Sequence, residues 1–315
     1  MSMQLPPRNC IVVGGPTATG KTTLGVELAL DHGGEILSAD SRQVYRGMDI
    51  ASGKDLVEYT TDRGSVPWHL IDVAGPAEIY SLFDYQRDFY RAFSEVAARG
   101  RLPVVVGGTG LYLEAALRKW SVPDVPPDEA FRDEMASRDL DDLKAELETL
   151  SPEIAARAVL ENRRRVIRAL EVARHTAVHG EPAVHETDLE FRPLVLVVTW
   201  PPDELRERIR ARLLARLDEG MVDEVRAILD SGISRKRFDL FGMEQKHVAR
   251  FIDGEVDREQ MIEDLVQDIA HLAKRQRTWF RGIEKRGMEI HEVPRADLAT
   301  AREIVGRFEL SPHEG

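Results

Sequence analysis

One short stretch constrains this chain more than any other. Gly15-Pro16-Thr17-Ala18-Thr19-Gly20-Lys21-Thr22 fits the pattern G-x-x-x-x-G-K-[ST]. Before it, Asn9-Cys10-Ile11-Val12-Val13 reads as a short buried strand. After it, Lys21 to Leu30 reads as a helix, with Leu24, Leu28 and Ala29 on one side. The spacing therefore predicts strand, glycine-rich turn, helix. In that setting the backbone curls so that its N–H groups point at phosphate oxygens, and the helix N-terminus adds partial positive charge. Lys21 supplies a full charge, and the Thr22 hydroxyl is placed to ligate Mg²⁺. The loop is expected to hold a diphosphate or triphosphate. Alone it points to ATP or GTP, because most chains that carry it are nucleotide hydrolases or kinases.

The rest of the chain supplies a matching scaffold. Glu35–Ser38, His69–Val73, Pro103–Val106 and Leu194–Thr199 are short apolar runs, and they alternate with helical stretches such as Ser81–Ala98. That alternation predicts an α/β fold, a P-loop NTPase-like parallel sheet flanked by helices. Residues 118 to 190 contain no convincing strand. Pro123, Pro126 and Pro127 mark a linker, and Asp139–Leu150 and Ile154–His175 read as helices. The expected division is a catalytic core of residues 1–117 and 190–315, with a helical insertion domain at 118–189. From Pro202 to Arg286 the chain reads as mostly helical. There Met261, Ile262, Leu265, Ile269, Leu272 and Phe280 are spaced for one buried face.

Two features bear on partners. The net charge of −12 argues against bulk attraction to nucleic acid, although a local basic face binds phosphates on an acidic protein. Cys10 is the only cysteine, so no intrachain disulfide forms. That fits a reducing cytoplasm. No apolar run approaches bilayer length and no secretory signal is visible, so the expectation is a cytoplasmic chain without a membrane partner, monomeric by default.

A nucleotide hydrolase usually places a magnesium-binding Asp at the end of a later apolar strand. Here Pro103–Val106 runs into Gly107-Gly108-Thr109, with no acid. Asp72, after His69-Leu70-Ile71, is a substitute, although an acid there is more often solvent-facing punctuation. A second loop, Ser38-Ala39-Asp40-Ser41-Arg42-Gln43-Val44-Tyr45, follows the second strand, where strand ends meet the ligand crevice of an open α/β sheet. Asp40 in that place can accept a proton from an attacking group. It can equally cap a helix or form a turn, and position alone does not choose.

Taken in order, several blocks resemble the tRNA dimethylallyltransferase family: 15–22, the stretch Ser38–Ile50, Val106-Gly107-Gly108-Thr109-Gly110-Leu111-Tyr112, Val166–Val172, Gly220–Val225, and Ala273-Lys274-Arg275-Gln276-Arg277-Thr278-Trp279-Phe280-Arg281. The resemblance runs from about residue 11 to 281. It implies transfer of the dimethylallyl group of dimethylallyl diphosphate to the exocyclic N6 amine of an adenosine. That adenosine lies 3′ to the anticodon (position 37) in tRNAs reading codons that begin with U, and diphosphate leaves. No water need be activated, which accounts for the missing acid.

The resemblance also implies roles. Asp40 is the general base. Thr17 hydrogen-bonds the diphosphate near the breaking bond, beside Lys21. Gly15, Pro16, Thr17, Ala18, Thr19, Gly20, Lys21, Thr22 and Arg212 hold the diphosphate, with Mg²⁺ at Thr22. The implied tRNA contacts are Asp40, Ser41, Arg42, Gln43, Thr109, Arg132, Arg164, Arg165, Val166, Ile167 and Arg168. From the residues alone, Arg212 reads as part of a solvated face, since Arg206, Arg208, Arg210 and Arg216 crowd the same helix. Arg164, Arg165 and Arg168 fall on one side of a helix, with Val166, Ile167 and Leu170 on the other. That arrangement suits phosphate contacts. Lys274, Arg275 and Arg277 form a second basic cluster, beside a Trp279 that reads as core.

The chain departs from the usual pattern in four places. Ala51-Ser52-Gly53-Lys54-Asp55 stands where Gly-Thr-Ala-Lys-Pro is usual, and Val159–Arg165 where His-Pro-Asn-Asp-Pro-Gln-Arg is common. Arg216 stands for a usual Met, and Leu240–Gln245 for a pattern like Ala-Ile-Gly-Tyr-Arg-Gln. Two other readings compete: prenyl transfer to a free adenine nucleotide, and a small-molecule kinase, which requires ATP and an arginine-rich lid.

Overall fold

The computed structural model describes residues 6–238 and 241–312, except the side chain of Lys236. Leu240, which opens one of the departing stretches, lies outside them. Two compact units emerge: residues 1–120 with 187–315, and residues 121–186.

The first unit is built on a six-stranded sheet. Its strands are β1 (Cys10–Gly14), β2 (Glu35–Ser38), β5 (Trp68–His69), β6 (Pro103–Gly107), β7 (Pro193–Thr199) and β8 (Ile290–Pro294), in the order β5-β2-β6-β1-β7-β8. All its pairings are parallel, and a small antiparallel pair, β3 (Thr60–Thr61) with β4 (Gly64–Ser65), stands apart. Central β1 is buried along its whole length, as a strand covered on both faces must be. Its side chains alternate between two cores. Val12 joins Leu37, Val105, Val195 and Phe280 on one side; Ile11 and Val13 join Leu24, Leu28, Val104 and Val198 on the other.

Helices α1 (Lys21–His32), α2 (Leu82–Ala98) and α3 (Gly110–Leu117) cover the sheet near its N-terminal strands. Further along come α8 (Pro202–Asp218), α9 (Met221–Asp230), α10 (Arg235–Phe238), α11 (Met243–Ile252), the long α12 (Arg258–Lys285) and α13 (Leu298–Val305). Met261, Ile262, Leu265 and Ile269 of α12 pack with Ile209, Leu213 and Val225 in a third core. Among the described residues no helix is long and apolar enough to cross a membrane.

The second unit holds α4 (Glu129–Ala136), α5 (Leu140–Leu150), α6 (Pro152–Arg157) and α7 (Arg163–His179). They close over Phe131, Met135, Leu143, Leu147, Val166 and Leu170.

Three expectations need correction. The single helix expected over Ile154–His175 is two, because Ala158 is extended and the Asn162 side chain accepts from Arg165 N to start α7. The strand expected over His69–Val73 stops at His69, since Leu70 (φ +66) and Asp72 (φ +57) turn the chain away. Strand β8 and α13 were not anticipated. β8 lies at the sheet edge and buries only Val293 fully, so it offers no apolar run to read.

Candidate active site

The phosphate loop joins β1 to α1. Gly20 begins the helix at φ +85, in the left-handed region that glycine enters at little cost, and no side chain caps the amides that follow. Ala18 sits at φ +62, which costs an L-residue roughly 1–2 kcal/mol. Neighbours hold the loop in that shape. Arg208 donates through Nε to Ala18 O at 3.0 Å, while its guanidinium lies 4.2 Å over the Trp200 ring. Trp200 Nε1 donates to Thr19 O at 3.1 Å, and Thr19 Oγ1 to Pro16 O at 2.8 Å. One amide departs from the expected phosphate-facing set. Thr17 N donates to Gln276 Oε1 at 2.9 Å, and Gln276 Nε2 donates to Gly108 O at 3.0 Å. Gln276 thus ties the phosphate loop to the loop after β6.

Two cations fold back on this loop. Lys21 Nζ donates to Pro16 O at 3.3 Å, and Arg212 Nη2 donates to Thr17 Oγ1. Burial pulls Lys21 down to about 8; Asp40 opposes that shift, and Arg212, Arg42 and Arg216 add to it. Burial, then the neighbouring Arg216, pulls Arg212 down to about 10. Two buried cations in one cleft suit an anionic ligand. The solvated-face reading of α8 holds for Arg206 and Arg208, which are exposed, and for Arg210, paired with Glu263 near the surface, but not for Arg212 and Arg216. Those two lie one helical turn apart and are drawn to Thr17 and Asp55, while Arg208 leans on the phosphate loop from the surface.

The second loop closes on the first. A Cβ at Gly107 would lie 2.2 Å from Ala39 O, so only glycine admits the approach. Thr109 N donates to Ala39 O at 3.1 Å, and Ser41 N to Thr109 Oγ1 at 3.1 Å. Asp40 Oδ1 accepts from Arg42 N at 3.0 Å. The Arg42 guanidinium is turned to buried Glu244 (2.7 and 2.8 Å) and stays 3.8 Å from Asp40. Gln43 Oε1 accepts from Ser38 Oγ at 2.8 Å, and its Nε2 donates to Gly53 O at 3.0 Å. Thr17, Lys21, Thr22, Asp40, Arg42, Gln43 and Arg212 therefore line one cleft, with Gly53 and Asp55 in its wall. Its volume is about 30 Å³, room for one or two waters.

A roomier cavity of about 680 Å³ lies between β7, α8 and α12 and meets the phosphate loop at Pro16. Lys274 and Arg277 of the second basic cluster line it; Asp40, Thr17, Lys21 and Arg212 do not. The phosphate-loop residues, Asp40 and Arg212 converge in the smaller cleft. Trp279 is half buried and packs with the α2–α3 core.

Asp72 is corrected as a metal candidate. It accepts from fully buried Lys54 at 2.5 Å, and Asp49 takes the same ammonium at 2.5 Å. Among the described residues no cluster of three or more His, Cys, Asp or Glu could cage a metal. A hydroxyl (Thr22) and a carboxylate (Asp40) beside an anion cradle do suit Mg²⁺, which takes its other ligands from phosphate oxygens and water.

Sequence reasoning missed Gln276, the Arg42–Glu244 pair and Glu224. Glu224 accepts the backbone amides of Asp49, Ile50 and Ala51 at 2.7, 2.8 and 2.9 Å and so fixes that turn. Its signal was the block at 220–225.

In the second unit, Arg132 grips buried Glu171 with two bonds of 2.7 Å, and Arg168 reaches the same carboxylate at 3.1 Å. Arg164 and Arg165 are exposed. Val166 and Ile167 are buried in the unit's core.

Comparison with known proteins agrees with this geometry. The family model described as IPP transferase matches residues 43–283, and one described as isopentenyl transferase matches residues 8–63. The chain is 46% identical over 286 residues to tRNA dimethylallyltransferase 2 of Syntrophotalea carbinolica, covering 90% of this chain and 93% of that one. It is 43% identical over 302 residues to the protein of the same name from Trichlorobacter lovleyi, covering 95% and 97%. The solved structure of the tRNA isopentenylpyrophosphate transferase of Bacillus halodurans superposes with a TM-score of 0.66 at 33% identity, covering 95% of this chain and 94% of that one. On these matches, with the phosphate loop, Asp40 and Arg212 gathered in one cleft, the chain belongs to the IPP transferase family.

Proposed function

We propose that this chain is a tRNA prenyltransferase that moves a dimethylallyl group from dimethylallyl diphosphate to the N6 amine of adenosine 37 in tRNAs reading codons that begin with U. The carrying observation is the cleft in which Lys21 and Arg212 meet the Asp40 carboxylate, with no acid after β6 to activate water. In the reaction the allylic C1–O bond breaks and a C1–N6 bond forms. The amine's proton passes to Asp40, and diphosphate leaves on the loop amides, Lys21, Arg212 and Thr17. Both contacts made to Asp40 fall on Oδ1, which leaves Oδ2 to take the proton. Mg²⁺ bound at Thr22 would neutralise charge on the leaving group.

Labelled dimethylallyl diphosphate, Mg²⁺ and undermodified tRNA test the reading. Label in tRNA supports it. Label in AMP alone would move the acceptor to a free nucleotide, and phosphate transfer from ATP without prenyl transfer would sink both.

The exposed arginines of α7 supply a surface for tRNA phosphates. Replacing Arg164, Arg165 and Arg168 together should weaken tRNA binding and reduce its salt slope by about 2–3. Titrations of binding at several salt concentrations decide it; an unchanged slope means the face points elsewhere.

The low value of Lys21 gives a pH signature. Below about pH 8 Lys21 is charged and donor affinity is flat. Above it Lys21 is neutral in the free enzyme, and an arriving diphosphate must restore the proton. Donor Kd should then rise by up to about 10-fold per pH unit, with proton uptake on binding. Calorimetry in buffers of different ionisation enthalpy reads that uptake; release of protons, or none, contradicts it.

A further inference from the structure

Two departures from the family pattern, the turn Gly53–Asp55 and Arg216, lie 161 residues apart in sequence and meet at one point. Arg216 of α8 is buried and donates through Nη2 to both carboxylate oxygens of Asp55, at 2.8 and 3.1 Å. To arrive there its guanidinium crosses directly over Gly53. A Cβ at Gly53 would lie 2.2 Å from Arg216 Nη2 and 2.6 Å from Nη1. An alanine there would push this guanidinium aside, and at φ +67 it would also be strained. The usual proline at 55 offers it no partner, and the usual methionine at 216 needs neither change. Gly53, Asp55 and Arg216 are thus in direct contact.

Their place is the wall of the diphosphate cleft. Gly53 and Asp55 line it beside Lys21, Asp40 and Arg212. Gly53 O accepts from Gln43, which adjoins the Asp40 turn. Asp55 is an anion set in the wall of a cleft built for an anion, and its side chain remains about one-third exposed. Left unpaired, it would oppose a diphosphate; with both oxygens taken by Arg216, its charge is answered locally.

We propose that Arg216 clamps the Asp55 carboxylate in the wall of the diphosphate cleft and masks its charge, so that an arriving diphosphate meets no uncompensated anion there. Arg216 is a positioning residue, acting through Asp55. The clamp rests on the diphosphate site assigned above, but its test does not require that transfer occurs. Inorganic diphosphate with Mg²⁺ is the probe, its binding measured by calorimetry on the full chain for wild type, Arg216→Met, Asp55→Asn and the double variant.

Arg216→Met should weaken diphosphate binding by about 10–100-fold, because it leaves a carboxylate uncompensated. Adding Asp55→Asn should recover binding to within about 5-fold of wild type, since the exposed charge is gone. Where transfer is assayed, the loss appears in donor KM, with kcat changed by less than about 3-fold. A merely structural role predicts the opposite order, with the double variant worse than either single one. Arg216→Met binding within about 2-fold of wild type, or no recovery in the double variant, overturns the clamp. If Arg216→Met does not fold, Asp55→Asn alone decides: binding at least as tight as wild type supports the clamp, and a loss beyond about 5-fold overturns it. Wild type that binds diphosphate yet modifies no tRNA would overturn the proposed reaction and leave the clamp standing.

Discussion

Asp40→Ala should slow dimethylallyl transfer by at least about 100-fold while leaving tRNA affinity nearly intact. An exocyclic aromatic amine is a weak nucleophile, and it gains from losing its proton as the new bond forms. Asp40 is the carboxylate that lines the cleft with Lys21 and Arg212, and its ion pair with Arg42 is long, at 3.8 Å. Glu244 holds the guanidinium of Arg42 with two short bonds and keeps it 3.8 Å from Asp40. That leaves the carboxylate available as a base. Asp55, the other acid in the cleft, is committed to Arg216. Single-turnover transfer measured beside tRNA binding separates the possibilities. A large loss of tRNA affinity with little loss of rate would make Asp40 a binding residue rather than the base.

Arg212→Ala should lower kcat/KM by about 100–1000-fold, the scale of losing a preorganised donor to charge that develops in the transition state. It should do so without destabilising the protein. Burial and the adjacent Arg216 both act against the charge on Arg212, so the folded chain carries that cation at a cost. Removing it should leave the melting temperature unchanged or raise it, the usual sign of a site kept for function rather than stability. Thermal unfolding and steady-state kinetics on the same preparation check both halves. Lost stability together with intact kcat/KM would make Arg212 a structural residue of α8.

The parts of the site legible in the sequence are those whose chemistry is local. The phosphate loop announces itself because strand, glycines, Lys21 and Thr22 are contiguous. Asp40 was visible as a candidate because it follows a strand; the structure gives it both the turn bond to Arg42 N and a place in the cleft, and its role as base rests on the resemblance. The arginines of α8 show the limit. A run at 206, 208, 210, 212 and 216 reads as a solvated face. Which members turn inward depends on Thr17 and Asp55, and those partners are set by packing. Gln276 and Glu224 lay inside recognisable blocks, yet their partners are backbone groups well over a hundred residues away. No periodicity encodes such a bond. The sheet was legible where strands are buried on both faces, as in β1, β6 and β7. It was illegible at β8, whose edge position leaves most of its side chains partly exposed. The helix break before α7 was hidden because a capping Asn162 looks like any polar residue in a helical stretch.

The central claim is that the loop at Gly15–Thr22 holds a departing diphosphate. The most direct test follows the phosphorus and the allyl carbon together, in one turnover with labelled dimethylallyl diphosphate, Mg²⁺ and undermodified tRNA, without ATP. One intact diphosphate should be released for each dimethylallyl group found on tRNA, with no orthophosphate. Orthophosphate as the product, or a requirement for ATP before any group moves, would contradict it.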